Sequence, residues 1–355
     1  MQRMMGSKYS LFFAASFGSD CNNGIYTLAM DRSSGEMKTL AVCPVKWVNY
    51  LAVSSDSKML YATRRYYRGE DGEGGVAAFE VSDEHICPAA EISSGGLIPC
   101  YLAIDTSGRW LYWTNYMSGS FGQCCIHAGR KMRKVDIFRH TGHGSHFRQR
   151  EPHPHHVCFA PHESRLYVTD LGANQIVGYP FSPLEGIRTD QISYFAMPDG
   201  CGPRHLLFGR FGKKAYVVNE IQCSVSEIEC LPEGWRLLQT VEITPEVVRY
   251  NSERAGSAAI KQSTDGRHIL TTDRGYDAVA HFTLQNGRLL LSEKVSSGGR
   301  WPMDLCFDDK SHFVLCANQD SDEICAFHLD NNGRLIDTGR RYPIDSPVCV
   351  IPATI

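Results

Sequence analysis

Histidine, arginine and carboxylate side chains recur at matching places in two consecutive segments near the middle of the sequence. The first opens with Pro152-His153-Pro154-His155-His156 and ends at Asp170, and the second opens with Gly202-Pro203-Arg204-His205 and ends at Asn219-Glu220. Each segment has a proline-marked polar entry, a short apolar strand, a turn and a second strand. A base that activates water and a cation that stabilises an oxyanion are the groups that hydrolysis at a carbonyl carbon needs.

The same plan recurs along the whole chain. Strands that end in a polar residue begin at Tyr61, Tyr112, Tyr167, Tyr216, Leu270 and Leu315, about fifty residues apart. A shorter apolar strand precedes each of them, across turns such as Thr264-Asp265-Gly266-Arg267 that are typical of hairpins. Two further strands follow in most units. A repeat of about fifty residues with four antiparallel strands is typical of a β-propeller blade.

The two ends of the chain complete the count of units. Six full units run from about Val45 to Leu335. Leu11–Ser16 and Gly24–Leu28 resemble second and third strands without an inner strand, whereas Pro347–Val350 resembles an inner strand with no unit behind it. Joining them makes a seventh blade and removes the open sheet edges. We therefore predict one all-β domain over residues 1–355. It is a seven-bladed β-propeller with four antiparallel strands per blade, in which the N- and C-terminal strands share one blade.

This topology brings distant polar residues to one place. In a propeller, the loops that enter the inner strands and those that leave the second strands open on the same face of the central channel. The loops concerned carry Trp47, Pro99, His153, His155, Arg204, Ser257, Trp301 and Met303 at the entries, and Arg64, Asn115, Asp170, Glu220, Arg274 and Gln319 at the exits. Buried charges are seldom left unpaired, so this set indicates an ion-pair network or a functional site. A turn role suits Asn115 but explains Arg64, Glu220 and Arg274 poorly.

Composition excludes several classes of protein. The net charge is −3 and no basic stripe occurs, so we expect no nucleic-acid partner. No apolar run is long enough for a membrane span, so we expect no membrane association. Arg3, Lys8 and the apolar run Leu11–Ala15 resemble a weak signal peptide. That run is short and fits the repeat, so we expect a cytoplasmic protein.

Cysteines and histidines are numerous. The fourteen cysteines include no C-x-x-C pair, and we interpret them as buried thiols that pack as small hydrophobes. Six histidines fall between His140 and His156 in the longest insertion, Cys124 to Pro154, but without regular ligand spacing. A catalytic metal or structural zinc is therefore not predicted, and no organic cofactor is expected.

Several motifs in fixed order resemble the seven-bladed propeller lactonase family, which contains propeller-type 6-phosphogluconolactonases and carboxy-cis,cis-muconate cyclases. The matching stretches are Arg148-Gln149 with Pro152–His155, Tyr167–Gly172, Gly202–His205 with Tyr216–Glu220, Thr264–Arg267 with Asp273–Asp277, Ala317–Asp322, and Ser346–Val350. The resemblance covers nearly the whole chain. Two positions depart from the family pattern: Pro302-Met303 replaces a usual Pro-Arg, and Gly256-Ser257 replaces a usual Ala-Glu. Both departures bear on the choice of substrate.

The resemblance implies that His155, Arg204, Glu220 and Arg274 line the active site. We expect His155, Glu220 and Arg274 to be catalytic, with either His155 or Glu220 as the base. Arg204, His153, Asp170 and Gln319 are expected to bind the substrate, Arg204 by a bidentate contact with an anionic group.

Three functions are compatible with such a site. The first is hydrolysis of a sugar-acid lactone, 6-phosphogluconolactone above all, by a carboxylic ester hydrolase. A muconate-type lactonising isomerase would use the same groups for proton transfer next to a carboxylate. The third is a propeller that binds a ligand without catalysis. The partner implied is a small-molecule lactone or sugar acid.

Overall fold

The structure is a computed structural model. It describes residues 8–66, 72–82, 85–126, 132–161, 165–244 and 256–353. Arg3, part of the signal-like N-terminus considered above, lies outside these residues. The described residues form 29 strands, and three single turns of 3₁₀ helix lie at Tyr116–Ser118, Phe147–Gln149 and Gln319–Ser321. Within the described ranges, no helix has the length and apolar character needed to cross a membrane.

The strands form seven antiparallel sheets, and the prediction of a seven-bladed β-propeller is confirmed. Blade 1 contains β1 (Tyr9–Ser16), β2 (Gly24–Asp31), β3 (Met37–Pro44) and the last strand, β29 (Pro347–Pro352). Blade 2 contains β4 (Val48–Val53), β5 (Met59–Arg64), β6 (Gly75–Val81) and β7 (Ile86–Ser93). Blade 3 contains β8 (Pro99–Ile104), β9 (Trp110–Asn115), β10 (Ser120–Ile126) and β11 (Met132–Arg139).

The remaining blades follow in chain order. Blade 4 contains β12 (Pro154–Phe159), β13 (Arg165–Asp170), β14 (Gln175–Ser182), β15 (Gly186–Ile187) and β16 (Ser193–Ala196). Blade 5 contains β17 (Pro203–Phe208), β18 (Lys214–Asn219), β19 (Ser224–Leu231) and β20 (Gly234–Glu242). Blade 6 contains β21 (Ser257–Gln262), β22 (His268–Asp273), β23 (Ala278–Gln285) and β24 (Arg288–Ser296). Blade 7 contains β25 (Pro302–Phe307), β26 (Phe313–Asn318), β27 (Glu323–Leu329) and β28 (Leu335–Pro343).

Both ends of the chain share blade 1, as predicted. Its strand order is β29-β1-β2-β3, with Phe13 paired to Ile351 and Ala15 to Cys349. The C-terminal strand is therefore the innermost one and the N-terminal strand is the second. This pairing joins the first and last described strands by backbone hydrogen bonds, so β1 does not present an unpaired edge where the ring closes.

Blade 4 and the segment before it differ from the sequence expectation in detail. The outer strand of blade 4 is split, because β15 and β16 both pair with β14 and make this sheet five-stranded. The insertion expected from Cys124 to Pro154 is shorter than predicted, since Cys124 lies inside β10 and β11 forms the outer strand of blade 3. The true insertion is the loop of residues 140–153, which we call the Arg148 loop. It contains a 3₁₀ turn capped by His146.

The core consists of apolar layers between neighbouring blades. Second strands are buried along nearly their whole length, as in β9, where Trp113 is fully buried. Phe121 and Tyr179 pack between blades 3 and 4, and Phe282 packs between blades 5 and 6. Outer strands are mostly exposed, which explains why their sequence pattern is weak. All fourteen cysteines have free thiols; nine are buried, whereas Cys21 and Cys87 are exposed, contrary to expectation.

A β-bulge near the start of the inner strand recurs in all seven blades. The register shifts between Val48 and Tyr50, between Pro203 and His205, and at the corresponding places in blades 1, 3, 4, 6 and 7. Neighbouring side chains of a regular strand point to opposite faces, and a bulge interrupts this alternation. As a result Arg204 and His205, consecutive in sequence, both line the same cavity.

Candidate active site

Entry and exit loops are joined by a repeated backbone hydrogen bond. The amide of Glu220 donates to the Gly202 carbonyl oxygen (2.8 Å), and that of Arg274 donates to Gly256 (3.0 Å). Equivalent bonds tie Tyr116 to Ile98 and Gln319 to Trp301. Each exit residue is thus fixed beside the start of its own inner strand. This is the physical reason why residues eighteen positions apart in a blade meet at one face.

A cavity of about 280 Å³ opens where these loops converge on the channel. It is lined by Asn49, Tyr50, Ile98, Cys100, Tyr116, Arg148, His155, Arg204, His205, Glu220, Arg274, Met303 and Val348. His155, Arg204, Glu220 and Arg274 are therefore brought together from blades 4, 5 and 6. The volume is suited to a small ligand rather than to a polymer.

Glu220 is the centre of the cavity's charge network. Its Oε2 atom accepts a hydrogen bond from Arg204 Nε at 2.9 Å and forms an ion pair with Arg274 Nη2 at 3.0 Å. Its Oε1 atom contacts Arg148 Nη2. Burial alone would raise the pKa of Glu220, but Arg274, Arg148 and Arg204 together hold it well below its ordinary value. The side chain is therefore a carboxylate at neutral pH and serves as a shared counter-ion.

Two of the three arginines are also fixed by other groups. Arg204 Nη1 donates to the Ala258 carbonyl oxygen at 2.8 Å and to His205 Nε2 at 2.9 Å. Arg274 Nε donates to the Gly256 carbonyl oxygen at 3.1 Å, and its guanidinium lies 5.1 Å from the Trp301 ring centroid. Because Arg204 already uses Nε and Nη1 within the protein, the bidentate contact expected for it with a ligand is not favoured by this geometry.

His155 lies beside the arginine cluster as a neutral imidazole. Burial lowers its pKa well below the ordinary value, and Arg204 lowers it further, against a smaller opposite effect of Glu220. Its Nδ1 atom lies 3.9 Å from the thiol sulfur of Cys100, and burial raises the pKa of that thiol to about 11. The ring is oriented by an edge-on contact with Tyr116 at 5.6 Å. An unprotonated imidazole in this place can accept a proton from a bound water.

His156 and His205 extend this row of imidazoles into the channel. Burial lowers the pKa of both well below the ordinary value, with Lys261 and Arg204 as further causes. His156 Nδ1 accepts from the Leu206 amide, and His205 Nε2 accepts from Arg204, so each ring is used as an acceptor. A protonated imidazole has no acceptor atom. Both hydrogen bonds therefore require the neutral form.

We expect these buried histidines to make the protein unstable in mild acid. Each has a folded-state pKa below that of the unfolded chain, near 6.5, so the unfolded state binds more protons as pH falls below 6.5. The free energy of unfolding should fall by up to about 1.4 kcal/mol per pH unit for each histidine. It should change little above pH 7.5. Urea unfolding between pH 5.5 and pH 8 measures this slope.

The matched variants are His156→Gln and His143→Gln. His143 is exposed, whereas His156 is buried. His156→Gln should remove part of the slope below pH 6.5, and His143→Gln should leave it as in the unaltered protein. Identical slopes in all three proteins would contradict the assignment of buried neutral histidines.

Three of the residues expected to bind substrate lie outside the cavity lining. His153 Nδ1 donates to the Tyr116 carbonyl oxygen (2.9 Å), and its ring stacks on Tyr116 at 4.4 Å. Asp170 accepts from the His153 amide and from His140 Nδ1, both at 2.7 Å. Gln319 begins the 3₁₀ turn after β26. None of these three described residues lines the cavity, so their contact with a substrate remains a prediction.

Arg64 is also used elsewhere. It pairs with Glu91 and donates to the Lys46 carbonyl oxygen, so it belongs to a structural ion pair of blade 2. In the sequence, its position at the exit of a second strand was what made it a candidate site residue. Whether such an arginine belongs to a structural ion pair or to the cavity depends on an acidic partner, here Glu91 in the outer strand β7. No local sequence pattern identifies that partner.

Arg148, Tyr116 and Cys100 are cavity residues to which sequence reasoning assigned no role. Arg148 comes from the Arg148 loop, which belongs to no blade, so the repeat could not place it. In the sequence, only its position in the motif Arg148-Gln149, which resembles the propeller lactonase family, pointed to this residue. Cys100 fits the general pattern of a buried thiol, and Tyr116 directly follows Asn115, a residue whose type is typical of a turn.

The chemistry available in the cavity follows from its charges. Three guanidinium groups face one carboxylate beside a neutral histidine, so the cavity carries a positive excess. Such a site attracts anions and stabilises negative charge that develops on an oxygen atom. The neutral imidazole adds a proton acceptor. Together these groups are suited to addition of water at a carbonyl carbon.

Comparison with known proteins agrees with this interpretation. The sequence profile of the family described as "Lactonase, 7-bladed beta-propeller" matches residues 12–352. A 6-phosphogluconolactonase of Bacillus subtilis is 30% identical over 341 residues, covering 93% of this chain and 94% of that protein.

Two solved structures show the same fold at similar identity. A Bacteroides fragilis protein proposed to be a 6-phosphogluconolactonase has a TM-score of 0.90 at 26% identity, covering 98% of this chain and 99% of its own. The periplasmic gluconolactonase of Pseudomonas aeruginosa has a TM-score of 0.89 at 25% identity, covering 97% and 99%. The profile match spans nearly the whole propeller, so this chain belongs to the lactonase family of seven-bladed β-propellers.

Proposed function

We propose that this protein is a carboxylic ester hydrolase that opens a sugar-acid lactone, with 6-phosphogluconolactone as the leading substrate. The observation that supports this most is the convergence of Arg148, Arg204 and Arg274 on Glu220 beside neutral His155. An anionic lactone matches the positive excess of the cavity. The name of the Bacillus subtilis relative points to the same compound.

The proposed reaction needs one base and one oxyanion contact. His155 takes a proton from water while the water oxygen adds to the lactone carbonyl carbon. Arg274 stabilises the oxyanion that forms. Collapse of the tetrahedral intermediate breaks the bond between the carbonyl carbon and the ring oxygen. The protonated His155 returns the proton to that oxygen, which leaves the open sugar acid.

His155 is preferred over Glu220 as the base because both carboxylate oxygens of Glu220 already contact guanidinium groups. In this proposal Glu220 orients Arg204 and Arg274 instead. A bound anion offsets part of the arginine charge, which raises the pKa of His155 toward the range in which it can hold a proton.

The test is the disappearance of freshly prepared lactones, measured with and without the protein. Acceleration of 6-phosphogluconolactone opening beyond the spontaneous rate is the expected result, and His155→Asn should reduce it. A rate equal to spontaneous opening, across phosphorylated and plain sugar lactones, would reject the proposal. Binding without turnover would then favour a non-catalytic propeller.

A lactonising isomerase is separated from a hydrolase by proton NMR in deuterated water. Reversible lactonisation of a muconate-type substrate places solvent deuterium on carbon, whereas hydrolysis does not. As a 6-phosphogluconolactonase the protein would act in the pentose phosphate pathway, and a cytoplasmic location is proposed on that ground. The periplasmic gluconolactonase among its structural relatives makes location worth measuring by fractionation.

A further inference from the structure

Arg148 differs from the other two arginines of the cavity in origin and attachment. Arg204 belongs to an inner strand and Arg274 to a strand exit, whereas Arg148 lies in the Arg148 loop of residues 140–153. Its side chain is 29% exposed, against 7% for Arg204 and 11% for Arg274. It is therefore the arginine of the three that solvent, or an arriving ligand, reaches most easily.

The backbone that carries Arg148 is firmly held. His140, at one end of the loop, contacts Asp170 at 2.7 Å and Tyr179 at 3.0 Å. Gln149 is fully buried, and its side-chain Nε2 donates to the Leu171 carbonyl oxygen at 2.8 Å and to Asn174 Oδ1 at 2.9 Å. The loop thus presents the arginine at a fixed place over the cavity rather than as a loose surface side chain.

The guanidinium itself has fewer protein contacts than its neighbours. Arg204 and Arg274 each donate to backbone carbonyl oxygens as well as to Glu220. The Arg148 side chain donates to Glu220 Oε1 and is hydrogen-bonded to the Tyr116 side chain, so both of these partners are side chains rather than backbone carbonyl groups. Burial opposes the charge of Arg148, but Glu220 and then Tyr116 raise its pKa above the ordinary value. It therefore remains a cation when a ligand enters.

We propose that Arg148 determines substrate specificity by binding the anionic substituent of the lactone at the cavity mouth. This inference rests on the proposed lactonase function and adds the basis on which a phosphorylated lactone is distinguished from a plain one. Arg204 and Arg274 remain on Glu220 Oε2 while Arg148 exchanges Oε1 for the ligand anion. A planar guanidinium matches the geometry of a phosphate group.

The experiment compares kcat/KM for 6-phosphogluconolactone and gluconolactone at matched ionic strength. In the unaltered protein the phosphorylated lactone should be preferred. Arg148→Gln should lower that preference about 10- to 100-fold, since a charge-assisted contact is lost. Arg148→Lys should restore part of it. Arg150→Gln is the matched control, because Arg150 is exposed on the same loop and has the same charge.

Arg148→Gln is expected to fold, because Glu220 keeps two guanidinium partners; Arg148→Met provides a second variant of similar length. If the unaltered and Arg148→Gln proteins prefer 6-phosphogluconolactone over gluconolactone to the same degree, the inference is overturned and the lactonase proposal stays intact. A lack of preference for the phosphorylated lactone in the unaltered protein would do the same. An equal loss of preference in Arg150→Gln would also overturn it, because general charge would then be responsible.

A binding measurement separates this inference from the proposed function. Calorimetric titration with 6-phosphogluconate and gluconate reports anion recognition without turnover. If no lactone is hydrolysed, the lactonase proposal fails, and a selective loss of 6-phosphogluconate binding in Arg148→Gln would still support the role of Arg148. Equal binding of 6-phosphogluconate by both proteins, or no binding by either, would overturn it.

Discussion

Glu220→Ala should lower both the stability of the protein and its activity, with the larger expected effect on stability. The substitution leaves Arg148, Arg204 and Arg274 facing one another without their shared carboxylate, and Arg204 is almost fully buried. Removing one partner of a buried ion pair typically costs about 3–5 kcal/mol, because the remaining charge is left uncompensated. Urea unfolding at pH 7.5 measures the loss.

Two comparisons identify the cause of this loss. Glu91→Ala removes the carboxylate of another arginine pair, that of Arg64, which lies outside the cavity. It should cost clearly less, because Glu91 is more exposed than Glu220. Phosphate or sulfate should restore part of the stability of Glu220→Ala by occupying the vacated position between the arginines. A Glu220→Ala protein as stable as Glu91→Ala would contradict the shared counter-ion assignment.

Arg274→Ala should reduce kcat/KM for the lactone by about 100-fold or more, corresponding to about 3 kcal/mol, if it stabilises the oxyanion. Its guanidinium is held by Glu220, the Gly256 carbonyl oxygen and the Trp301 ring, so its position is set before the substrate arrives. The effect should fall on kcat more than on KM, because the oxyanion forms only in the transition state. Steady-state kinetics on fresh lactone measures both constants.

Arg64→Ala is the matched control for Arg274→Ala. Arg64 ends the second strand of blade 2, whereas Arg274 directly follows the second strand of blade 6, and Arg64 is engaged with Glu91. Its removal should leave kcat close to that of the unaltered protein. Arg274→Lys should recover little activity, because an ammonium group cannot keep the planar contacts of the guanidinium. Unaltered kcat in a folded Arg274→Ala protein would reject Arg274 as the oxyanion contact.

The site chemistry connects these two predictions. Glu220 and Arg274 are parts of one network, so their effects on activity should not add. A Glu220→Ala/Arg274→Ala double variant should lose less stability than Glu220→Ala, since one uncompensated cation has been removed. This ordering distinguishes an electrostatic cause from a general loss of packing.

Much of the architecture could be predicted from the sequence because propeller blades are built from local hairpins. Tight turns such as Thr264–Arg267 and the recurring apolar strands near Tyr112 or Tyr216 specify antiparallel neighbours within about fifty residues. The unpaired character of Pro347–Val350 then indicated how the ring closes. Topology alone placed His155, Arg204, Glu220 and Arg274 at one face, because every blade repeats the same entry and exit geometry.

The tertiary structure decided which polar residues at that face belong to the cavity. The β-bulge in the inner strand turns both Arg204 and His205 to the channel, and a bulge has no sequence signal as clear as a turn. Asp170 is the last residue of its strand and matches Asn219 in register, one position before Glu220, and its carboxylate is used by His140 and the His153 amide. Whether an acid faces the cavity or a loop depends on partners far away in the sequence.

Arg148 shows this division between sequence and structure most clearly. The sequence shows that residue 148 is an arginine, but this residue lies in a loop outside the repeat. Its contact with Glu220 spans 72 positions in the sequence. Repeated strands have a register that hydrogen bonding fixes, so the sequence by itself determined the seven blades, the ring closure and four converging residues. A loop takes its path from whatever it packs against, here Asp170, Leu171 and Asn174, so only the folded structure could place the third arginine.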